Sequence, residues 1–587
     1  MIRYQPVLRL AILAAPVAII LFLGWQRRWA CDDAFINYRI VRQILAGNGP
    51  VFNDGIRVEA GTSPAWLGIL ATLDVLTPIR LEWIAALTSV LATATGVALA
   101  IAGTLRLSRL GRSATGIALP VGALTYVALP PAWDYATSGL ENGLGILWLG
   151  ASWWALTRRF LSDLAEPPPP TRPRWTLVLL GLGPLVRPDL ALFTFAFLMA
   201  YLLLTKATSG WLDRLSVLAI ALAVPGLTQV ARMAYFGEIV PNTALAKEGS
   251  LSNWEQGRLY LSDFVGPHLL WIPLATLVIV VVVSSKRRAV SRPVAGIISA
   301  AVMLAGLAQC LYIVRVGGDY MHGRMLLPSL FGFLLPVMVV PVNRTNLVAA
   351  LVIGVWAVLS FSTLRPSYSQ STDAWPGAAI DQVTGISDER LVYARISGKG
   401  NPVTLGDFAD GVSIWVRAGD TTRSVLEAGV RGFLPNGESQ PVEAAAVVQP
   451  ISGGENRLVT NVGALGMLGY AAGIDITVVD RFGIADDVTA HHRLVRRGRP
   501  GHEKELPAAW SFARFADPSV PPPSGTTSEE IAAARQALTC GALAELIDAG
   551  REPLTPVRAF RNLIGSFGRS TFRFSPDPFS AEVELCT

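Results

Sequence analysis

The run PVLRLAILAAPVAIILFLGW (residues 6–25) is followed at once by QRRWACDDAFINYR (26–39). The first piece has about the 20 apolar residues that span a bilayer. No convincing small-residue cleavage site precedes Arg27, so the run reads as a retained helix rather than a cleaved signal. The second piece places two adjacent acids, Asp32 and Asp33, just past the helix exit. Ten further apolar stretches follow, near 83–105, 117–132, 143–157, 176–187, 190–205, 215–235, 267–285, 294–314, 325–341 and 346–363. The chain has 587 residues, of which 51% are hydrophobic and 16% charged, against about 25% charged in soluble domains. The apolar excess stops near residue 364. The expected architecture is an α-helical polytopic membrane domain (1–364, about 11 transmembrane helices) followed by one soluble mixed α/β domain (365–587).

Charge orients that architecture. With the N-terminus in the cytoplasm, the inner loops carry Arg106, Arg109 and Arg112; Arg158, Arg159, Arg172 and Arg174; Lys206 and Arg214; Lys286, Arg287, Arg288 and Arg292; and Arg344. Positive residues concentrate on the cytoplasmic side of membrane proteins, so five successive loops agree. An odd number of crossings then sends the C-terminal domain outside. Counting 65–78 (AWLGILATLDVLTP) as a span would invert every later loop; at 14 residues with Asp74 inside, it suits a re-entrant or interfacial helix. Pro167–Pro170 reads as a stiff spacer in an inner loop. The net charge of +6 is mild, and no basic run stands out as a nucleic-acid footprint.

The outer loops hold the chemistry. Phe35, Tyr38, Ile40, Val41, Ile44 and Leu45 recur at roughly helical spacing after the acid pair, as in an amphipathic helix on the membrane surface. The same loop ends with Glu59. The second outer loop brings Asp134 and Glu141, and the third is the turn Arg187-Pro188-Asp189, whose charges between two membrane helices should face the interior. The fourth carries Asn242 and Lys247. The fifth offers Arg315, Asp319, His322 and Arg324 among glycines that let a ligand approach the backbone. Arginines grip phosphate bidentately, and carboxylates steer hydroxyls or stabilise a cationic transition state. Acids and cations gathered at one membrane boundary fit glycosyl transfer from a lipid-linked sugar phosphate. A structural salt bridge is the plain alternative for Arg187 with Asp189, and a solvated corner for the acid pair.

Five segments, taken in order, sharpen this. DDAFINYRIVRQILAGNGPVFNDGIRVEAGTSPAWL (32–67), SGLE (138–141), RPD (187–189), PNT (241–243) and GGDYMHGRMLLP (317–328) resemble the actinobacterial AftB family of arabinofuranosyltransferases, within the GT-C glycosyltransferase superfamily. LGMLGYAAGIDITVVDRFGIAD (465–486) and RPGHEK (499–504) resemble the same family's C-terminal domain. The resemblance implies a donor, decaprenyl-phosphoryl arabinofuranose, and an acceptor, the non-reducing ends of arabinan in arabinogalactan or lipoarabinomannan. It implies terminal β-(1→2) linkages made on the outer face of the plasma membrane. Donor and product are both β-linked, so configuration is retained and one base with in-line attack does not suffice. Either a carboxylate forms a covalent adduct, or the acceptor enters on the face the phosphate leaves. Asp32 and Asp33 are the catalytic candidates. Glu59, Glu141 and Asp319 are candidates for acceptor hydroxyls, Arg187, Lys247, Arg315, His322 and Arg324 for the phosphate, and Asn242 is a further candidate for substrate binding. A divalent cation, used by some GT-C enzymes, is left open, since no ligand motif marks one.

In the C-terminal region, Ile474–Val479 predicts a buried strand, Ser528–Ala549 a helix, and Phe572, Phe574 and Val583 strand-like pieces. Cys540 and Cys586 are free to pair if the domain is extracytoplasmic. Trp375, Trp415 and Trp510 are candidate glycan platforms, with core or membrane-interface roles as the plainer reading, and His491-His492 reads as solvated. A transporter would show paired broken helices in internal repeats, and none is visible. A receptor scaffold would not need converging acids at the boundary. Another polyprenyl-phosphate-sugar transferase, such as a mannosyltransferase, is the nearest competing enzyme.

Overall fold

The computed structural model describes residues 5–108, 118–161, 174–205, 210–287, 293–412, 414–438, 447–452 and 457–587. The Pro167–Pro170 spacer and Arg109, Arg112, Arg172, Lys206, Arg288 and Arg292 of the inner loops lie outside the described residues. Among the described residues the chain is mostly helical. Among the described residues five helices are long and apolar enough to cross a membrane: Val7–Gln26, Leu81–Leu107, Trp211–Phe236, Pro293–Val316 and Arg344–Ser362. Helix Asn142–Phe160 follows the fourth expected stretch, and Ala191–Leu204 and Trp271–Arg287 follow two more.

Three expected stretches are broken, and proline accounts for the breaks. Residues 117–132 form a two-residue strand, Ala118–Leu119, then helices Val121–Val127 and Pro130–Asp134. Residues 176–187 split into helices Arg174–Gly181 and Gly183–Val186, with a proline at the start of the second. Residues 325–341 form a short helix Leu327–Leu334 flanked by 3-10 turns, each half begun near a proline. Proline lacks the N–H that an interior helix position donates, so it favours helix starts, although Pro16 and Pro225 lie inside unbroken helices. Segment 65–78 forms helix Pro64–Leu76, whose start is capped by the Ser63 hydroxyl.

The chain packs into two compact units that interleave along the sequence. The first comprises Met1–Ala30, Trp83–Gly226 and Ser252–Ala394. In it, helices 81–108 and 142–160 cross at Gly96 and Gly150, where an added Cβ would overlap the facing backbone. Small residues let membrane helices approach this closely.

The second unit comprises Cys31–Glu82, Leu227–Leu251 and Arg395–Thr587. It joins the segments expected as the first and fourth outer loops to most of the region after residue 364. Its sheet has three parallel strands, Gly432–Leu434, Leu458–Val462 and Thr477–Asp480, in that spatial order. Parallel neighbours need a crossover, and helix Leu465–Ala472 joins the second strand to the third. Phe433, Val459, Val488, Trp510, Ala534, Leu543 and Phe574 form its core.

Several expectations for the second unit change. The predicted helix 528–549 is two helices, Ser528–Ala537 and Gly541–Arg551, broken where Gly541 takes a positive φ of 54°. Val583 lies on helix Pro578–Cys586 and not on a strand. His491 and His492 are buried rather than solvated: the His491 ring contacts Glu238 at 3.2 Å and the Asp487 carbonyl at 2.7 Å. Trp510 is core, and its indole N–H donates to the Pro576 carbonyl. Cys540 and Cys586 form a disulfide.

Candidate active site

The acid pair opens helix Asp32–Leu45. That helix packs on the crossover helix Leu465–Ala472, more than 400 residues further on. The Asp32 carboxylate crosses between them: Oδ2 accepts the Gly466 N–H at 2.9 Å and Oδ1 the Met467 N–H at 2.6 Å. The first N–H groups of a helix have no partner within it and carry partial positive charge, so a carboxylate there is doubly favoured. The contact requires Gly466, since a Cβ at 466 would overlap the Asp32 backbone carbonyl.

Arg39, two turns along, locks the register. It is fully buried and donates to the carbonyls of Phe52 (2.9 Å) and Ile476 (2.7 Å), and also to those of Gly469 and Gly473. Burial pulls its guanidinium down to about 9. Arg42 sits 3.6 Å over the Tyr470 ring. Phe35, Tyr38, Ile40 and Val41 are covered by protein. The expected amphipathic helix therefore forms, but its apolar side packs into this unit instead of lying on a membrane.

Burial pushes the Asp32 carboxyl up to about 7; the two amide bonds pull against that rise and neighbouring Asp33 adds to it. Asp33, Lys247 and Arg499 all lie close enough to act electrostatically on His502. The His502 ring meets Phe482 edge-on at 4.7 Å, and burial, helped by Arg499, drives it down to about 4. At neutral pH it is an uncharged imidazole. Burial raises Glu503, and Lys247 draws it back. The second unit thus holds two acids, a neutral histidine and a lysine in one electrostatic neighbourhood.

Two other predicted residues of this unit have structural partners. Glu59 receives a bidentate grip from Arg232, at 2.5 and 3.0 Å. The Asn242 amide donates to the carbonyls of Gly483 (2.6 Å) and Ile484 (3.0 Å). Nearby, Glu248 joins Lys504 (2.6 Å) to Arg573 (2.9 Å).

The first unit holds most of the remaining candidates in ion-paired form. Arg187 lies 3.0 Å from Asp189 and 3.9 Å from Glu141, and Gln309 donates to the other Asp189 oxygen at 2.5 Å. Arg324 pairs with Asp319 at 2.6 Å. His322 lies between Asp263 (Nδ1–Oδ2 2.5 Å) and His268 (Nε2–Nε2 3.0 Å), and the Tyr368 hydroxyl donates to Asp263 at 2.8 Å. The carboxylate fixes the Nδ1 proton, as in other carboxylate–imidazole pairs. The Arg315 carbonyl accepts the Asn253 N–H at 2.6 Å. Among the described residues no three His, Cys, Asp or Glu side chains gather as a metal site.

Sequence reasoning missed Arg39, Arg232, Asp263, Tyr368 and His502. His502 was visible within RPGHEK. The others had no spacing signal, because their partners lie up to 437 positions away.

The terminal β-(1→2)-arabinofuranosyltransferase of Mycobacterium tuberculosis is 33% identical, over 96% of this chain and 95% of its own length. The enzyme of the same name from Corynebacterium glutamicum is 34% identical, over 92% of this chain and 82% of its own. Residues 452–583 match the AftB family C-terminal domain. The chain belongs to the terminal β-(1→2)-arabinofuranosyltransferase family. It is therefore a glycosyltransferase. The matched C-terminal segment contains Gly466 and Met467, which hold Asp32, and also His502 and Cys540. That segment thus supplies the backbone amides on which Asp32 is mounted.

Proposed function

We propose that this protein transfers arabinofuranose from decaprenyl-phosphoryl arabinofuranose to the non-reducing ends of cell-wall arabinan, in arabinogalactan or lipoarabinomannan, forming terminal β-(1→2) linkages. It does so from a membrane domain (1–364) with about eleven spans, at the outer face of the plasma membrane, with the N-terminus in the cytoplasm and residues 365–587 extracytoplasmic. Two things support this sidedness: positive charge concentrates in the alternate loops, and the first and fourth outer loops co-fold with the C-terminal region in one unit. Segments that fold together share a compartment.

The observation that carries the reading is the mounting of Asp32 on the amides of Gly466 and Met467. Both of its oxygens are engaged, so Asp32 is held in one orientation and acts through its charge. Asp33, about 100° around the helix, is the acid that meets the sugar, either by covalent attack or by stabilising the oxocarbenium-like transition state. Lys247, in the same unit, is the cation for the donor phosphate. Arg187 and Arg324 already face carboxylates, so they hold the first unit's loops. A divalent cation would find no cluster of three carboxylate, histidine or cysteine ligands among the described residues.

The test is single-turnover transfer from polyprenyl-phosphoryl arabinofuranose to a short arabinan, in wild type, Asp32→Asn and Asp33→Asn. Both variants should lose at least about 100-fold, the scale of a lost charge-stabilising group. Unimpaired transfer by both would remove the acid pair from the mechanism. Transfer of mannose in place of arabinose would overturn the substrate assignment.

A further inference from the structure

Helix Pro556–Thr571 is amphipathic with its polarity reversed. In a soluble protein the apolar stripe of such a helix turns inward. Here the inward side chains are Arg558, Asn562, Ser566, Arg569 and Ser570, all buried. The outward ones are Val557 (62% exposed), Phe560 (62%), Ile564 (66%) and Phe567 (68%). Spacings of 3, 4 and 3 residues put these four on one face, opposite the buried polar set at about 100° per residue. Arg561 is exposed on the flank.

The buried face shows where this helix sits. Arg569 Nε donates to the Gly237 carbonyl at 2.9 Å, Ser570 Oγ accepts the Ile239 N–H at 2.9 Å, and the Asn562 amide reaches the Ala234 carbonyl at 3.3 Å. Residues 234–239 are the last turn and exit of helix Trp211–Phe236, one of the five long enough to cross a membrane. That helix's final turns belong to the same unit, and their Leu227 (71%) and Val230 (52%) are exposed too.

We propose that helix Pro556–Thr571 is a monotopic membrane anchor, lying flat in the bilayer interface with Phe560, Ile564 and Phe567 among the acyl chains. An exposed apolar face on a short amphipathic helix, with a basic flank, is the form such anchors take. Its polar face is tied to the point where a lipid-facing helix leaves the bilayer, which fixes its depth. The partner surface is therefore lipid and not a second protein copy. The anchor holds the second unit, and with it the acid pair, at the membrane surface where a lipid-linked donor presents its sugar.

The test uses the full-length protein in nanodiscs of phosphatidylcholine and phosphatidylglycerol. p-Benzoylphenylalanine replaces Phe560 or Phe567, and as a control Val495, which is 80% exposed in the same unit. After irradiation, intact-mass spectrometry counts adducts. Lipid adducts at 560 and 567, at least tenfold above those at 495, are the expected result. Equal labelling at all three positions means the face is in water and overturns the proposal. A protein–protein adduct at 560 or 567 means a second copy covers it, which also overturns it. The second position serves where one replacement does not fold. The readout does not depend on transfer activity, so it is independent of the substrate assignment.

Discussion

Raising the pH from 5 to 8 should switch this enzyme on through Asp32. Burial places the Asp32 carboxyl at about 7 rather than its ordinary 3.8. If its charge stabilises the sugar cation, the rate follows its ionised fraction. That fraction is about 1% at pH 5 and about 90% at pH 8, a rise of roughly 90-fold with a slope of one per unit below the midpoint. An unshifted carboxyl would change by only about 6% across the same range. The sign is fixed: a raised acid is protonated below 7, so activity is lost on acidification. His502, held down at about 4, stays neutral across this window and adds no second limb there. The assay is the initial rate of arabinofuranose transfer at saturating donor, at half-unit steps of pH. Asp32→Asn should be both slow and flat over the same range. A flat wild-type profile from 5 to 8, or an Asp32→Asn profile that keeps a rise centred near 7, would refute the assignment.

Gly466→Ala leaves both acids in place but puts a methyl where the Asp32 backbone sits; transfer should fall at least about 100-fold, while circular dichroism still reports a folded protein. Arg232→Met strips the partner from Glu59, whose pair has side chains only 12% and 9% exposed. Removing one member of a buried pair costs about 3–5 kcal/mol, so Tm should drop by several degrees, and the double change with Glu59→Gln should recover part of the drop. Replacing Cys540 and Cys586 together by alanine opens a loop spanning 46 positions. The chain-entropy model gives about 4 kcal/mol for that closure, so thermal stability should fall while kcat at 25 °C holds; a collapse of kcat at full stability would place the bridge in the catalytic machinery.

What the sequence made legible was whatever has a period or a local run. Apolar stretches of about bilayer length, alternation of basic and acidic loops, and the adjacent acids all lie within windows of a few tens of residues. The shortness of 176–187 already reads as a stretch that is broken or extended, while the breaks in 117–132 and 325–341 are legible in principle from Pro120, Pro130, Pro131, Pro328 and Pro336, against a hydrophobicity that does not distinguish one helix from two. The helix at 32–45 shows the other limit. Its apolar spacing reads as a face for lipid, yet the same pattern serves a face covered by protein, and only the Leu465–Ala472 helix decides between them.

The inverse case is 556–571, where PVRAFRNLIGSFGRST has the same amphipathic spacing. In that segment the apolar stripe is the exposed one. Periodicity therefore marks two faces without saying which is turned to solvent, protein or lipid. The tie-breaker is what the polar face bonds to. At 32–45 the polar side chains Asp32 and Arg39 seek backbone groups of a distant helix in the same unit, and the apolar side chains follow them inward. At 556–571 the polar side chains Asn562, Arg569 and Ser570 seek the end of a helix long and apolar enough to span, and the apolar stripe is left facing out. Buried polar groups cost more to leave unpaired than apolar groups cost to leave exposed. In this chain the hydrogen-bond partners thus determine the orientation of the amphipathic helices, and at Asp32 they pull against the burial that raises its carboxyl.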